Sequence, residues 1–242
     1  MNKKKLLSLA LVLILIASLS FGTLAWFSDK DEVTNKFLVA GSDDEDPDAI
    51  FSVDVWEKVD TDGDGEWDSV NPGHRQDDGS AEYKNILPGD KLPKNVFVEN
   101  TGAYDQYVRV IVTISDAQAW INAVGENFDA ATLFDKFNPD MWDKNHIWNN
   151  VSEAGDNIAQ LEEIVYVLYY KDVLKSGGHF TVFEAVNIPT TLTQEQAAKF
   201  DGGFTINVKA QALQTENVLP DNYVVGQEAY YAFTSLNIPL DQ

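Results

Sequence analysis

Apolar and polar positions change rhythm along this chain, and the rhythm divides it into three parts. An apolar run from Leu6 to Leu19 sits behind Lys3, Lys4 and Lys5 and is succeeded by small residues at Thr23 and Ala25. This order predicts a secretory leader, cut between Ala25 and Trp26. The competing reading is a membrane anchor, which needs about 20 apolar residues. Leu6 to Leu19 is shorter, and Ser18, Ser20, Gly22 and Thr23 break its apolar character toward Trp26. From Trp26 to Gly41 apolar residues are scattered without a helical stripe, and the acidic stretch Ser42 to Asp48 reads as a solvated linker.

Beyond Phe51 the period becomes two. Phe51, Val53 and Val55 alternate with Ser52, Asp54 and Trp56, and the same spacing recurs over Asn95 to Glu99, Tyr107 to Ile114, Ile164 to Tyr170, Phe180 to Ile188 and Phe204 to Leu213. Turn chemistry separates these runs at Leu87-Pro88-Gly89-Asp90, Asn100-Thr101-Gly102, Ser176-Gly177-Gly178 and Asp201-Gly202-Gly203. Short strands at this pitch predict an all-β fold, a two-sheet antiparallel jelly-roll-like sandwich. Helix is expected only in inserts: Ala117 to Val124 capped by Ser115-Asp116, Asp129 to Phe137, and a capping box at Thr193 to Gln196 ahead of Ala197 to Phe200. The expected organisation is a signal peptide over 1–25, an N-terminal strand and acidic linker over 26–50, and a sandwich over 51–242 with a helical insert at about 116–150.

Charge narrows the partners. The 242 residues carry a formal charge of −22, and removing the leader takes three lysines and no acid, leaving 14 basic against 39 acidic residues and a charge of −25. Nucleic acid is excluded as a partner, since its binding rests on Lys and Arg at phosphates, and no membrane association is expected after cleavage. Cysteine is absent, so stability has to come from the core or from assembly.

The sharpest local pattern is Asp60-Thr61-Asp62-Gly63-Asp64-Gly65-Glu66-Trp67-Asp68. Alternate carboxylates with glycine in the sixth place let a loop converge on one hard cation. Asp60, Asp62, Asp64 and Asp68 are the candidate side-chain ligands for Ca2+, and Glu66 offers its carbonyl. The twelfth position is Asn71 rather than a glutamate, and strand-like residues precede the loop. A metal-free hairpin tip therefore stands beside the calcium reading. The histidines, His74, His146 and His179, form no His-Glu-x-x-His pattern, and no Gly-x-Ser-x-Gly elbow occurs. Trp120, Trp142 and Trp148 suit either a sugar-stacking platform or the insert's own small core.

Gly22 to Asp29, continued by Glu32-Val33-Thr34-Asn35-Lys36-Phe37 and Ala40-Gly41, resembles the leader region of the TasA/camelysin family of Gram-positive exported proteins. Leu87-Pro88-Gly89-Asp90, Val96 to Gly102 and Tyr107 to Val110 are similar to that family's strand-turn-strand core. The resemblance implies a leader cut by a SipW-type signal peptidase. It also implies a secreted matrix-fibre subunit at the cell surface or in the extracellular matrix, polymerising head to tail with copies of itself. In that picture Trp26, Phe27, Val33, Phe37 and Val39 belong to the strand donated to a neighbour, adding to its sheet edge. A camelysin-type secreted metallopeptidase and a calcium-stabilised adhesin or glycan binder are the alternatives, the first without a zinc motif to support it.

Overall fold

A computed structural model of the chain describes residues 27–28, 53–58, 82–83, 86–125, 129–200 and 203–240. Ten strands lie in the order β1 (Phe27–Ser28), β2 (Asp54–Lys58), β3 (Glu82–Tyr83), β4 (Lys91–Glu99), β5 (Gln106–Ser115), β6 (Phe134–Asp135), β7 (Trp148–Asn149), β8 (Glu163–Tyr169), β9 (His179–Asn187) and β10 (Ile206–Gln214). Among the described residues five α-helices are interspersed: α1 (Ala117–Val124), α2 (Ala130–Leu133), α3 (Asn150–Ala154), α4 (Gln194–Ala197) and α5 (Glu228–Ser235). Two antiparallel four-stranded sheets, ordered β10-β5-β8-β7 and β2-β4-β9-β6, pack as an all-β sandwich, and β1 pairs with β3 apart from them.

Period two sorts the side chains. Val108, Val110, Val112 and Ile114 of β5, Ile164, Tyr166 and Leu168 of β8, and Ile206, Val208, Ala210 and Ala212 of β10 meet Val55, Leu92, Val96, Val98, Phe180, Val182 and Phe183 of the other sheet in one core. Lys94 is also buried, at 3% exposure, and burial holds its ammonium well below the ordinary lysine range. It sits where β4 carries an extra residue between Pro93 and Val96 against β9, an offset reversed between Val96 and Phe97.

The opposite parity of the first sheet is not left to solvent. Tyr107 of β5, Val167 and Tyr169 of β8 and Leu213 of β10 form a second apolar cluster with Val218, Ala229, Ala232 and Phe233. Helix α5 supplies the last three, so β5 and β8 are covered on both faces. The helix closes in a Schellman motif: Ile238 N–H donates to Phe233 O and Asn237 N–H to Thr234 O, both at 3.1 Å, with Asn237 left-handed at φ 51°.

Several local expectations meet their structural outcome here. At Leu87 to Asp90, Gly89 adopts φ 90° and Asp90 N–H donates to Leu87 O at 3.0 Å, the geometry a Pro-Gly turn requires. The Thr193 to Gln196 capping box forms reciprocally, Gln196 N–H to Thr193 Oγ1 at 3.2 Å and Thr193 N–H to Gln196 Oε1 at 2.8 Å. Helix α1 spans its expected range, but Ser115 and Asp116 do not cap it. Asp116 is left-handed at φ 57° and makes no capping bond, while the Ser115 hydroxyl donates to the Asp116 carboxylate at 2.6 Å. The helix expected over Asp129 to Phe137 is confined to α2. Phe134 turns into strand β6 against β9 and stacks on Phe183 with ring centres 4.2 Å apart, and Lys136 is left-handed at φ 56°. Burial of Phe134 overrides helical periodicity there.

Candidate functional site

Strand edges are the first functional feature of a sandwich, because each presents unpaired N–H and C=O groups. One side of this sandwich is bordered by the insert. On the first sheet, Trp148 and Asn149 of β7 pair with Val167 and Tyr166. The strap extends both ways along β8: Asp143 N–H donates to Tyr169 O and Lys171 N–H to Met141 O. Asn150 completes it with its side chain, which donates to Glu163 O and accepts from Val165 N–H, each at 2.8 Å. On the second sheet β6 pairs with Val186 and Ala185, fastened by Lys91–Asp135 and Lys136–Glu184 ion pairs of 2.6 Å. The other side ends in β2 and in β10, which lie beside each other. Among the described residues β10 pairs over nine residues with β5 alone.

A second feature lies on the outer face of the first sheet. Beside α5 and the segment Ile238 to Leu240 runs an open cleft of about 420 Å³, lined by Arg109, Trp148, Val167, Tyr169 and Phe233 among others. Arg109 is 2% exposed. Its Nε–H donates to Gln211 Oε1 at 2.6 Å, and Nη2 donates to Ile238 O at 2.9 Å and Pro239 O at 2.6 Å. The guanidinium also stands 4.5 Å over the Phe233 ring. Burial lowers its pKa from the ordinary value, with the Tyr169 hydroxyl working against that shift. Tyr169 itself is raised, by burial first, so it is a protonated donor at neutral pH.

Tyr169 connects this cleft to a second polar group. It meets Tyr230 edge-on at 5.3 Å, and Tyr230 stacks on His146 with ring centres 3.4 Å apart. His146 Nδ1 lies 2.6 Å from Oδ2 of Asp143, whose side chain is 2% exposed. The insert is thereby tied to α5. His146 is a packed, carboxylate-bound residue, and its role as an anchor between two elements was not readable from its Trp-rich sequence context.

Of the two readings of the tryptophans, a sugar-stacking platform or a small core, the platform does not form as a unit. Trp120 and Trp142 are each 1% exposed; Trp120 packs edge-on against Phe200 and Phe204, and Trp142 against Tyr170 and Phe180. Only Trp148 of the three reaches the cleft. His179 lies at the start of β9, edge-on to Phe97. Among the described residues no three His, Asp or Glu groups converge as a metal site. The calcium candidates Asp60, Asp62, Asp64, Glu66 and Asp68 lie outside the described residues, as do His74, the leader, the Ala25–Trp26 cut, and Val33, Phe37 and Val39. Of the proposed donor strand, Phe27 and Ser28 are described, and they pair antiparallel with Tyr83 and Glu82 of the same chain.

Sequence reasoning missed Arg109, Tyr169 and α5 as parts of one site. The signal was present in Tyr107 to Ile114, which is apolar at nearly every position apart from Arg109 and Thr113 and so asks for cover on both faces. Comparison with protein-family models, with curated proteins and with solved structures finds no match to this chain.

Proposed function

We propose that the chain is a secreted structural protein, the subunit of a self-assembling matrix fibre, in which an N-terminal strand freed by leader cleavage adds to the sheet edge of the next copy. The jelly-roll-like winding and the relation to the TasA/camelysin family are parts of this reading. The observation that carries it is the asymmetry of the edges: the insert lines β8 and meets β9 at Ala185 and Val186, whereas β10 carries nine residues paired with one described strand. A strand added there gains main-chain hydrogen bonds along its length, and head-to-tail addition does not close, so it grows a filament. The pairing of Phe27–Ser28 with Glu82–Tyr83 is then the resting arrangement that donation must exchange. Repulsion among subunits carrying −25 makes growth respond to salt, calcium and acid.

Electron microscopy of the protein beginning at Trp26, over a range of salt, Ca2+ and pH, tests this. Filaments that vanish when residues 26–40 are deleted support donation. A protein that stays monomeric under every condition refutes it.

A further inference from the structure

Independently of assembly, we propose that the cleft over Arg109 binds a small organic acid. The ligand is an aryl or alkyl carboxylate whose anionic end meets the Arg109 guanidinium and the Tyr169 hydroxyl, and whose apolar body lies against Trp148, Val167 and Phe233.

Arginine is rarely buried to this degree without an anion, because removing a charge from water is costly and neutral acceptors offset only part of that cost. Yet the groups that hold Arg109 are all neutral: a carboxamide oxygen, two main-chain carbonyls, the Tyr169 hydroxyl and an aromatic ring. Among the described residues no carboxylate lies within ion-pair distance of it. Three hydrogen bonds occupy Nε and Nη2, and the Tyr169 hydroxyl is bonded to the same guanidinium, which places the phenol and the charge side by side in the cleft. A guanidinium next to a protonated phenol offers two donors to one planar anion.

The remainder of the lining selects the rest of the ligand. Trp148, Val167, Phe233, Ile238 and Leu240 are apolar, and the volume falls in the range of about 300–1,000 Å³ found for small-molecule sites. Arg109 is the one cation in this lining, which suits a monoanion better than a phosphate dianion. A single indole among aliphatic walls suits an aryl or alkyl body better than a sugar ring. Asn237, exposed at the rim and fixed by the helix-ending motif, adds a polar group where the ligand leaves the cleft.

Isothermal calorimetry of the full chain with 3-phenylpropionate and with its uncharged analogue 3-phenylpropionamide tests the proposal. The acid is expected to bind saturably and the amide at least about tenfold more weakly, a difference of about 1.4 kcal/mol. Thr234 is an exposed residue of the lining, so Thr234→Phe fills the cleft without disturbing the core. It is expected to keep the wild-type melting temperature and lose acid binding by tenfold or more. Arg109→Lys, where it folds, is expected to lose most of the preference for acid over amide. Equal affinity for acid and amide overturns the proposal, as does absence of binding by the acid. Undiminished acid binding by Thr234→Phe overturns it equally, since the site would then lie elsewhere.

Discussion

Replacing Asn100 is expected to loosen the join between the two sheets more than any nearby polar substitution. Asn100 follows directly on β4, is fully buried, and bridges two turns that are distant in sequence. Its main chain exchanges 2.9 Å bonds with the glycine turn, Asn100 N–H to Gly178 O and Gly177 N–H to Asn100 O. Its side chain donates to Tyr104 O at 2.8 Å and Leu174 O at 3.0 Å, and accepts from Gly102 N–H at 3.0 Å. In Asn100→Ala, Leu174 O keeps the Gln106 N–H and the carbonyl of the exposed Tyr104 can turn to water, but Gly102 N–H is stranded in a buried site. A stranded buried group costs roughly 1–3 kcal/mol, and a rehydrated one about 1 kcal/mol. The sum is about 2–4 kcal/mol, or a fall in Tm of about 5–15 °C for a chain of this size. Asn100→Asp keeps the shape but turns an oxygen toward two carbonyls. At pH 7 it is expected to cost more than alanine. Facing those carbonyls raises the folded-state pKa of the new carboxyl, so its deficit shrinks as pH falls toward about 4 and the group regains a proton to donate. Urea unfolding of the three proteins at pH 7 and pH 4.5 decides the matter. An alanine variant within about 0.5 kcal/mol of wild type, or an aspartate no worse than alanine at pH 7, refutes this account of Asn100.

Other expectations rest on single contacts. In Gly178→Ala the new Cβ would stand 2.9 Å from Lys175 O, so the turn must shift, at about 1–3 kcal/mol by denaturant unfolding. Thr193→Ala removes half of the α4 capping box, and faster amide exchange at Gln196 with a global loss of about 1 kcal/mol or less is expected. Burial raises the phenols of Tyr107, Tyr169 and Tyr170 above their ordinary value. The unfolded chain therefore releases these protons first, and stability, complete below about pH 10, is lost as pH climbs past it. Phenolate absorbance of these residues should rise together with loss of far-UV dichroism; full titration near pH 10 with unchanged dichroism contradicts it.

The six longer strands, β2, β4, β5, β8, β9 and β10, were legible because apolar residues recur in them at every second position, as in Val108, Val110, Val112 and Ile114; the two-residue strands β1, β3, β6 and β7 were not. Both ends of α1 were also readable, although its start rests on main-chain geometry rather than on the side chains of Ser115 and Asp116. What escaped was decided at long range. Phe134 leaves its helical pattern because Phe183 and the β9 backbone receive it. Helix α5 is marked by Ala229, Ala232 and Phe233 at i, i+3 and i+4, with Asn237 and Pro239 beyond its end, but the Arg109 site it builds joins residues from three strands and the last turn of the fold. No local spacing reports such a meeting.

The two proposed activities use different parts of one sheet, which makes them separable by experiment. Assembly concerns the outer main-chain edge of β10, whereas the cleft rests on side chains of β5, β7 and β8 beneath α5. Edge and cleft meet at Gln211 of β10, which pairs with Arg109 in the ladder and whose carboxamide accepts from Arg109 Nε at 2.6 Å and donates to Pro239 O at 3.3 Å, and at Leu213, which packs with Val167, Tyr169 and Phe233. Thr234→Phe should therefore abolish acid binding and leave filament growth unchanged, and deletion of residues 26–40 should do the reverse. Gln211→Leu is the variant expected to disturb both, because it removes an acceptor from the buried guanidinium and a side-chain tie on the edge strand. If Thr234→Phe stops filaments, or if ligand added to wild type dissolves them while Gln211→Leu leaves both activities intact, the cleft and the edge communicate by a route other than this carboxamide, and the separation of the β10 edge from the cleft beneath α5 fails.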